Sequence, residues 1–160
     1  MPRFCGEVSS AIVGMMTDFN FLYLGLTLGL AAAAIGVTLA LPQNMRSTAF
    51  YAQLVLMVGI YIGFALAGLD EAAFVTRASV SGVLVESLSA LFFMFAGLMV
   101  LTQRPWALGV LILAHGGVDL LHMLVGSSHS PDWYEFLCLI YDAIVGVAAI
   151  WMLSADTAKN

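Results

Sequence analysis

Pro105–Gly126 (PWALGVLILAHGGVDLLHMLVG) is apolar over most of its length, yet it carries His115, Asp119 and His122. A helix needs about 20 predominantly apolar residues to cross a bilayer, and this stretch has them. At about 100° per residue, steps of four and seven return a helix to nearly the same face, so imidazole, carboxylate and imidazole share one stripe. An ionisable group in hydrocarbon costs roughly 2.5–3.5 kcal/mol on insertion scales. Three in one stripe mark where function is expected.

The rest of the chain sets the frame for that segment. It is 62% hydrophobic and 9% charged, against about 25% charged residues in a soluble domain. Its mean hydropathy is +1.01. Hydropathy predicts five membrane spans: Phe21–Leu41, Phe50–Gly68, Val80–Leu101, Pro105–Gly126 and Trp133–Leu153. The expected fold is an all-α integral membrane protein, a bundle of five transmembrane helices in one domain (21–153). Short connections make successive helices antiparallel neighbours.

Met1–Asn20 does not read as a signal peptide, because Glu7 and Asp18 interrupt any apolar core. Val8, Ile12, Met15 and Phe19 recur at helical spacing, so a short amphipathic helix at the membrane surface is expected there. Ser154–Asn160 reads as a polar tail. Net charge is −5 with no basic run, which excludes an electrostatic footing for nucleic acid. Cys5 and Cys138 do not make a disulfide framework.

With five spans, Arg3 and Arg77 fall on one side of the membrane, and Arg46, Arg104 and Lys159 on the other. The positive-inside rule then puts the N-terminus outside and the C-terminus in the cytoplasm, in a bacterial inner membrane. Trp133 and Tyr134 at one face, with Trp106 and Trp151 at the other, fit interfacial aromatic belts.

Depth decides whether the polar groups can meet. Taking 1.5 Å of rise per residue from the N-terminal-side end of each span, His122 lies roughly 6 Å down, Asp119 roughly 10 Å and His115 roughly 16 Å. On the fifth span Glu135, Cys138 and Asp142 share a face at about 3, 8 and 14 Å, and Glu86 on the third span is about 9 Å down. All fall in one half of the bilayer. No Lys or Arg lies within the predicted spans, so buried carboxylates must stay protonated, share a proton with histidine, or hold a metal ion.

Polar side chains also serve as interhelical glue in membranes, at about 0.6 kcal/mol per pair. That reading suits one His or Asp better than five groups at one depth. The four-spaced small residues Gly25, Gly29 and Ala33, and Ala32, Gly36 and Ala40, are read as packing faces. Cys138 reads as a small buried filler and His129 as a solvated loop residue.

Two imidazoles with carboxylates suit Zn, Fe or Mn, and a 2-His-1-carboxylate face is a known non-haem iron arrangement. The expected ligands are His115, Asp119 and His122, with Asp142 as fourth ligand or general base and Glu86 in support. Haem is disfavoured, because His115 and His122 project from one helix. The leading function is a metal-dependent membrane enzyme acting on a lipid or isoprenoid-like molecule. A proton or ion relay, and an accessory subunit of a larger membrane complex, are the alternatives; expected partners are membrane lipids and other subunits or a second copy of the chain.

The segments HGGVDLLHM and WYEFLCLIYD resemble those of a family of small, uncharacterised bacterial multi-pass membrane proteins, in which His-x3-Asp-x2-His is followed by Cys-x3-Asp. The resemblance covers the C-terminal part of the chain and implies that His115, Asp119, His122, Cys138 and Asp142 belong together. A looser likeness is to membrane-embedded zinc hydrolases with His and Asp ligands, such as the alkaline ceramidases, which have more spans and other spacings.

Overall fold

The computed structural model describes residues 21–71, 77–125, 130 and 132–157. The N-terminal segment expected at the membrane surface and the loop residue His129 lie outside the described residues. The elements are α1 (Phe21–Ala40), α2 (Gln43–Glu71), α3 (Arg77–Gln103), α4 (Ala107–Val125) and α5 (Asp132–Thr157). Each contains a stretch long and apolar enough to cross a membrane. In hydrocarbon every backbone N–H and C=O must be paired within the segment, which a helix alone achieves without a closed sheet. The protein is an all-α bundle of five transmembrane helices.

Three helices extend beyond the spans expected from hydropathy, α3 by only two or three residues at each end. α2 opens at Gln43, well before Phe50. Pro42 precedes it with a φ already suited to a helix start, and its carbonyl accepts the Met45 N–H at 2.9 Å. α5 continues through Ser154 to Thr157, so the first residues of the expected tail are helical. One cluster ties these polar ends together. Arg46 Nη1 lies 3.3 Å from Asp156 Oδ1, and Gln43 Nε2 donates to the same oxygen at 2.6 Å. Arg46 also donates to the carbonyls of Leu39 and Leu41, at 3.1 and 3.3 Å. Those carbonyls close α1, which has no glycine cap to satisfy them.

Between α3 and α4 only Arg104, Pro105 and Trp106 intervene. Pro105 disfavours a helical conformation at the residue before it and so ends α3. The Ala107 and Leu108 N–H groups then donate to the carbonyls of Arg104 and Pro105, at 2.8 and 3.0 Å, and start α4.

Two antiparallel pairs carry most of the packing, α4 with α5 and α2 with α3, while α1 lies chiefly against α5. Of the span windows, 39% of α5 is buried but only 17% of α1, so α5 is the central helix and α1 a peripheral one. Leu108 and Ile112 of α4, Val145 and Ala149 of α5, and Phe50 and Leu54 of α2 form the apolar core.

The closest approach is not where the small-residue pattern of α1 predicts it. Gly25, Gly29 and Gly36 have no neighbouring atom within 4 Å of where a Cβ would stand. The tight contact joins α4 to α5: a Cβ on Gly109 would meet the Gly146 carbonyl oxygen at 2.5 Å, and one on Gly146 would meet the Gly109 carbonyl oxygen at 3.0 Å. The expectation for α1 is therefore corrected. Small residues permit close approach, but only a partner helix makes use of them.

Candidate metal centre

On α4 the buried positions Leu108, Ile112, His115 and Asp119 advance by four, three and four residues, the stripe of a helix facing its neighbours. On α5 the facing stripe is Glu135, Cys138, Asp142, Val145 and Ala149. Both stripes are apolar towards the Arg46–Asp156 end and ionisable towards the other. Gly116 brings the ionisable halves together. A Cβ there would stand 3.0 Å from Asp142 Cβ and 3.5 Å from its Oδ2, so only glycine leaves Asp142 free to lie against α4.

The result is a three-residue centre. His115 Nδ1 and Asp142 Oδ2 are hydrogen-bonded at 2.8 Å, with one proton between them. Asp119 Oδ2 lies 3.7 Å from the same nitrogen. One donor atom from each of His115, Asp119 and Asp142 falls within 4.8 Å of the others. The residues are 3%, 1% and 0% exposed, so bulk water does not solvate them. Asp119 Oδ2 and Asp142 Oδ1 are buried with no hydrogen-bond partner among the described residues. Buried carboxylate oxygens are ordinarily paired; the donor nearest to hand is the Tyr61 hydroxyl beside Asp119, which is itself unpartnered.

His122 and Glu86 form a separate neighbouring pair. His122 Nδ1 is 3.9 Å from Glu86 Oε1, beyond hydrogen-bond length, and His122 is not among the three clustered donors. The reason is axial distance. Seven residues along a helix rise about 10.5 Å, so one ion cannot meet both imidazoles of a straight α4. Glu86 is buried against the bundle rather than facing lipid. Glu135 accepts a hydrogen bond from the Ser130 hydroxyl at 2.8 Å, which places it at the mouth of α5. Cys138 is a buried free thiol, close enough to Asp119 and Asp142 to feel their charge but outside the donor group.

Aromatic rings wall the centre. Tyr61 of α2 and Phe93 of α3 present edges to the His115 ring, with centroids 5.5 and 5.3 Å away. Tyr61 also packs against His122 and Tyr134, at 6.4 and 5.7 Å. Its hydroxyl neighbours Asp119 yet closes no hydrogen bond. Tyr134 therefore faces the interior rather than serving as a belt residue beside Trp133. Sequence reasoning missed Tyr61, although a hydroxyl in the last third of α2 sits at the depth of Asp119 and could have been found by the same count.

One imidazole nitrogen and two carboxylates can hold a divalent ion with a coordination position left open. Of the four expected ligands, His115, Asp119 and Asp142 gather here and His122 does not. Among the described residues no Lys or Arg pairs with the centre; Arg46 is engaged with Asp156 at the far end. No protein-family model matches the chain, and no curated protein or solved structure is similar to it.

Proposed function

We propose that this is a membrane-embedded enzyme whose centre, His115, Asp119 and Asp142, holds one Zn, Fe or Mn ion in the outer half of a bacterial inner membrane. One observation carries the reading: two fully buried carboxylate oxygens, Asp119 Oδ2 and Asp142 Oδ1, lack partners beside an imidazole. Interhelical glue would be satisfied by its own hydrogen bonds, as the Gln53–Thr38 pair is. A cation supplies what the carboxylates lack and offsets the cost of burying them.

The bound ion would polarise a carbonyl or phosphoryl oxygen, or make a bound water nucleophilic near neutral pH. The chain's own groups then divide the remaining work. Asp142 and Asp119 bring negative charge and proton acceptance, and Tyr61 brings an O–H donor beside Asp119. Phe93 and the Tyr61 ring shield His115 from water. The His122–Glu86 pair stands towards the membrane surface as a route for protons leaving the centre. The substrate class consistent with this burial is an apolar molecule reaching the centre from within the bilayer.

The test is elemental analysis of purified protein reconstituted with Zn, Fe and Mn in turn. One ion per chain is expected, lost in Asp142→Asn and His115→Ala while helicity persists. If the wild-type chain retains none of the three, the metal reading fails. The His115–Asp142 hydrogen bond would then be a pin between α4 and α5, and an accessory subunit would be the better reading.

A further inference from the structure

The centre explains α4 and the inner stripe of α5, but not a second feature on the adjoining face of α5, which shares Cys138 with that stripe. There α1, α2 and α5 border a groove of about 480 Å³, open along its outer side, within the size range of small-molecule sites. Its walls are apolar, with Leu30, Val37, Leu56, Ile60 and Leu137 prominent.

Thr38, Gln53 and Tyr141 also border it and bond in a chain. The Tyr141 hydroxyl donates to Gln53 Oε1 at 3.2 Å, Gln53 Nε2 donates to Thr38 Oγ1 at 3.2 Å, and Thr38 Oγ1 donates to the Ala34 carbonyl at 2.8 Å. That chain leaves few polar atoms for an occupant, chiefly the second Gln53 N–H, against a lining that is otherwise mostly apolar. The chemistry therefore favours hydrocarbon.

Length favours it too. From Ala49 to Ile60 the α2 wall rises about 16 Å, roughly half of the ~30 Å hydrocarbon thickness and so the reach of one tail in one leaflet. The groove ends at Tyr134 and Cys138. Those two residues also border the metal centre: Tyr134 packs on Tyr61, which packs on His115, and Cys138 lies near Asp119 and Asp142.

We infer that the groove among α1, α2 and α5 seats a single hydrocarbon tail of a membrane amphiphile, directing its functional end past Cys138 and Tyr134 to the metal centre. The inference rests on the metal-enzyme reading for its purpose, but not for its occupancy. Small side chains on the α1 wall, Ala33 and Ala34, leave the room that the tail takes. The groove is open along its outer side, so a tail enters sideways from the bilayer without a helix having to move.

A long-chain fatty acid carrying a diazirine halfway along its tail tests this in phosphatidylcholine vesicles containing the full protein. After illumination, label should concentrate on Met57, Ile60 and Leu137, the less exposed part of the lining, and excess unlabelled fatty acid should displace it. Ala34→Phe should lower that labelling about tenfold, whereas Ala32→Phe, exposed and outside the groove, should leave it unchanged. Unchanged helicity and thermal unfolding of Ala34→Phe certify its fold. Val37→Phe serves in its place if that variant does not assemble. Label spread evenly over outward residues such as Leu88 and Phe92, not displaced and indifferent to Ala34→Phe, would overturn the tail site. His115→Ala should lose metal and keep the label. A labelled groove in a chain that holds no metal would instead overturn the enzyme reading alone.

Discussion

Two adjacent glycines, Gly116 and Gly117, make a controlled experiment at the candidate metal centre. A Cβ on Gly116 would press on Asp142 Cβ at 3.0 Å, while one on Gly117 would meet nothing within 4 Å. Gly116→Ala should displace Asp142 by a few tenths of an ångström and weaken metal binding about tenfold, ~1.4 kcal/mol. Gly117→Ala should leave the metal in place and stabilise α4 by roughly 0.5–1 kcal/mol, because alanine loses less backbone freedom on folding. Metal titration and thermal unfolding of the two variants read this directly, and equal metal affinities would contradict the geometry. The same centre sets a pH dependence. Its ligands must shed protons to bind, including the proton shared by His115 and Asp142, so affinity should fall as pH falls and recover on return to neutral pH. A pH-independent occupancy between mildly acid and neutral solution would exclude these ligands. At this scale the sequence was informative: periodicity alone put His115, Asp119 and Asp142 on facing stripes. Depth already set His122 about 10 Å nearer the surface than His115, yet the shared face carried it into the ligand set; in the bundle its neighbour is Glu86. Two residues seven apart share a face yet stand two turns away from each other.

Between elements, the α4–α5 contact governs the centre from a distance. Gly109 and Gly146 touch through backbone carbonyls, which no side-chain rotation can relieve. Gly109→Ala should therefore push α4 and α5 apart, at about 1–3 kcal/mol of overpacking, and weaken metal binding although residue 109 lies nearly two turns from His115. Gly29→Ala on α1, where the added methyl meets open space, should do neither. Parallel measurements of unfolding and metal content would separate the two; matching losses would show that α1 packs as tightly as α4. No repeat advertised this contact. Each helix contributes one glycine to it, and a motif scan along one strand of sequence finds spacing within a helix, never complementarity between two. The reverse held for α1, whose repeated small residues look like an interface and face outward. Helix ends were also misread where tertiary contacts override hydropathy. Arg46 and Gln43 are polar enough to sit in a loop, yet Asp156 on α5 gives them a reason to continue α2 as a helix.

For the whole molecule, five crossings put the start of α2 and the α4–α5 connection on opposite sides of the membrane. Asn44, exposed at the first of these, and position 129 in the second are suitable reporters. With Cys5 and Cys138 replaced, a membrane-impermeant maleimide should label His129→Cys from outside in intact cells, and Asn44→Cys only after permeabilisation. Labelling of both from one side would sink the five-span topology; exchange of the two sides would reverse the orientation and leave the bundle standing. The orientation matters because the bundle is chemically lopsided. Its ionisable residues gather in the half near the α4–α5 connection, where His122 keeps a side-chain exposure of 15% against 4% for His115. The opposite half is an apolar core closed by the Arg46–Asp156 pair. Among the described residues, the ionisable groups lead from the centre towards the α4–α5 side. An impermeant chelator should strip the metal from protein in intact cells within the time it strips solubilised protein, and should fail when confined to the inner face of inside-facing-in vesicles. Slow stripping from outside and rapid stripping from inside would place the centre in the inner half of the membrane and remove the basis for a substrate arriving from the outer leaflet.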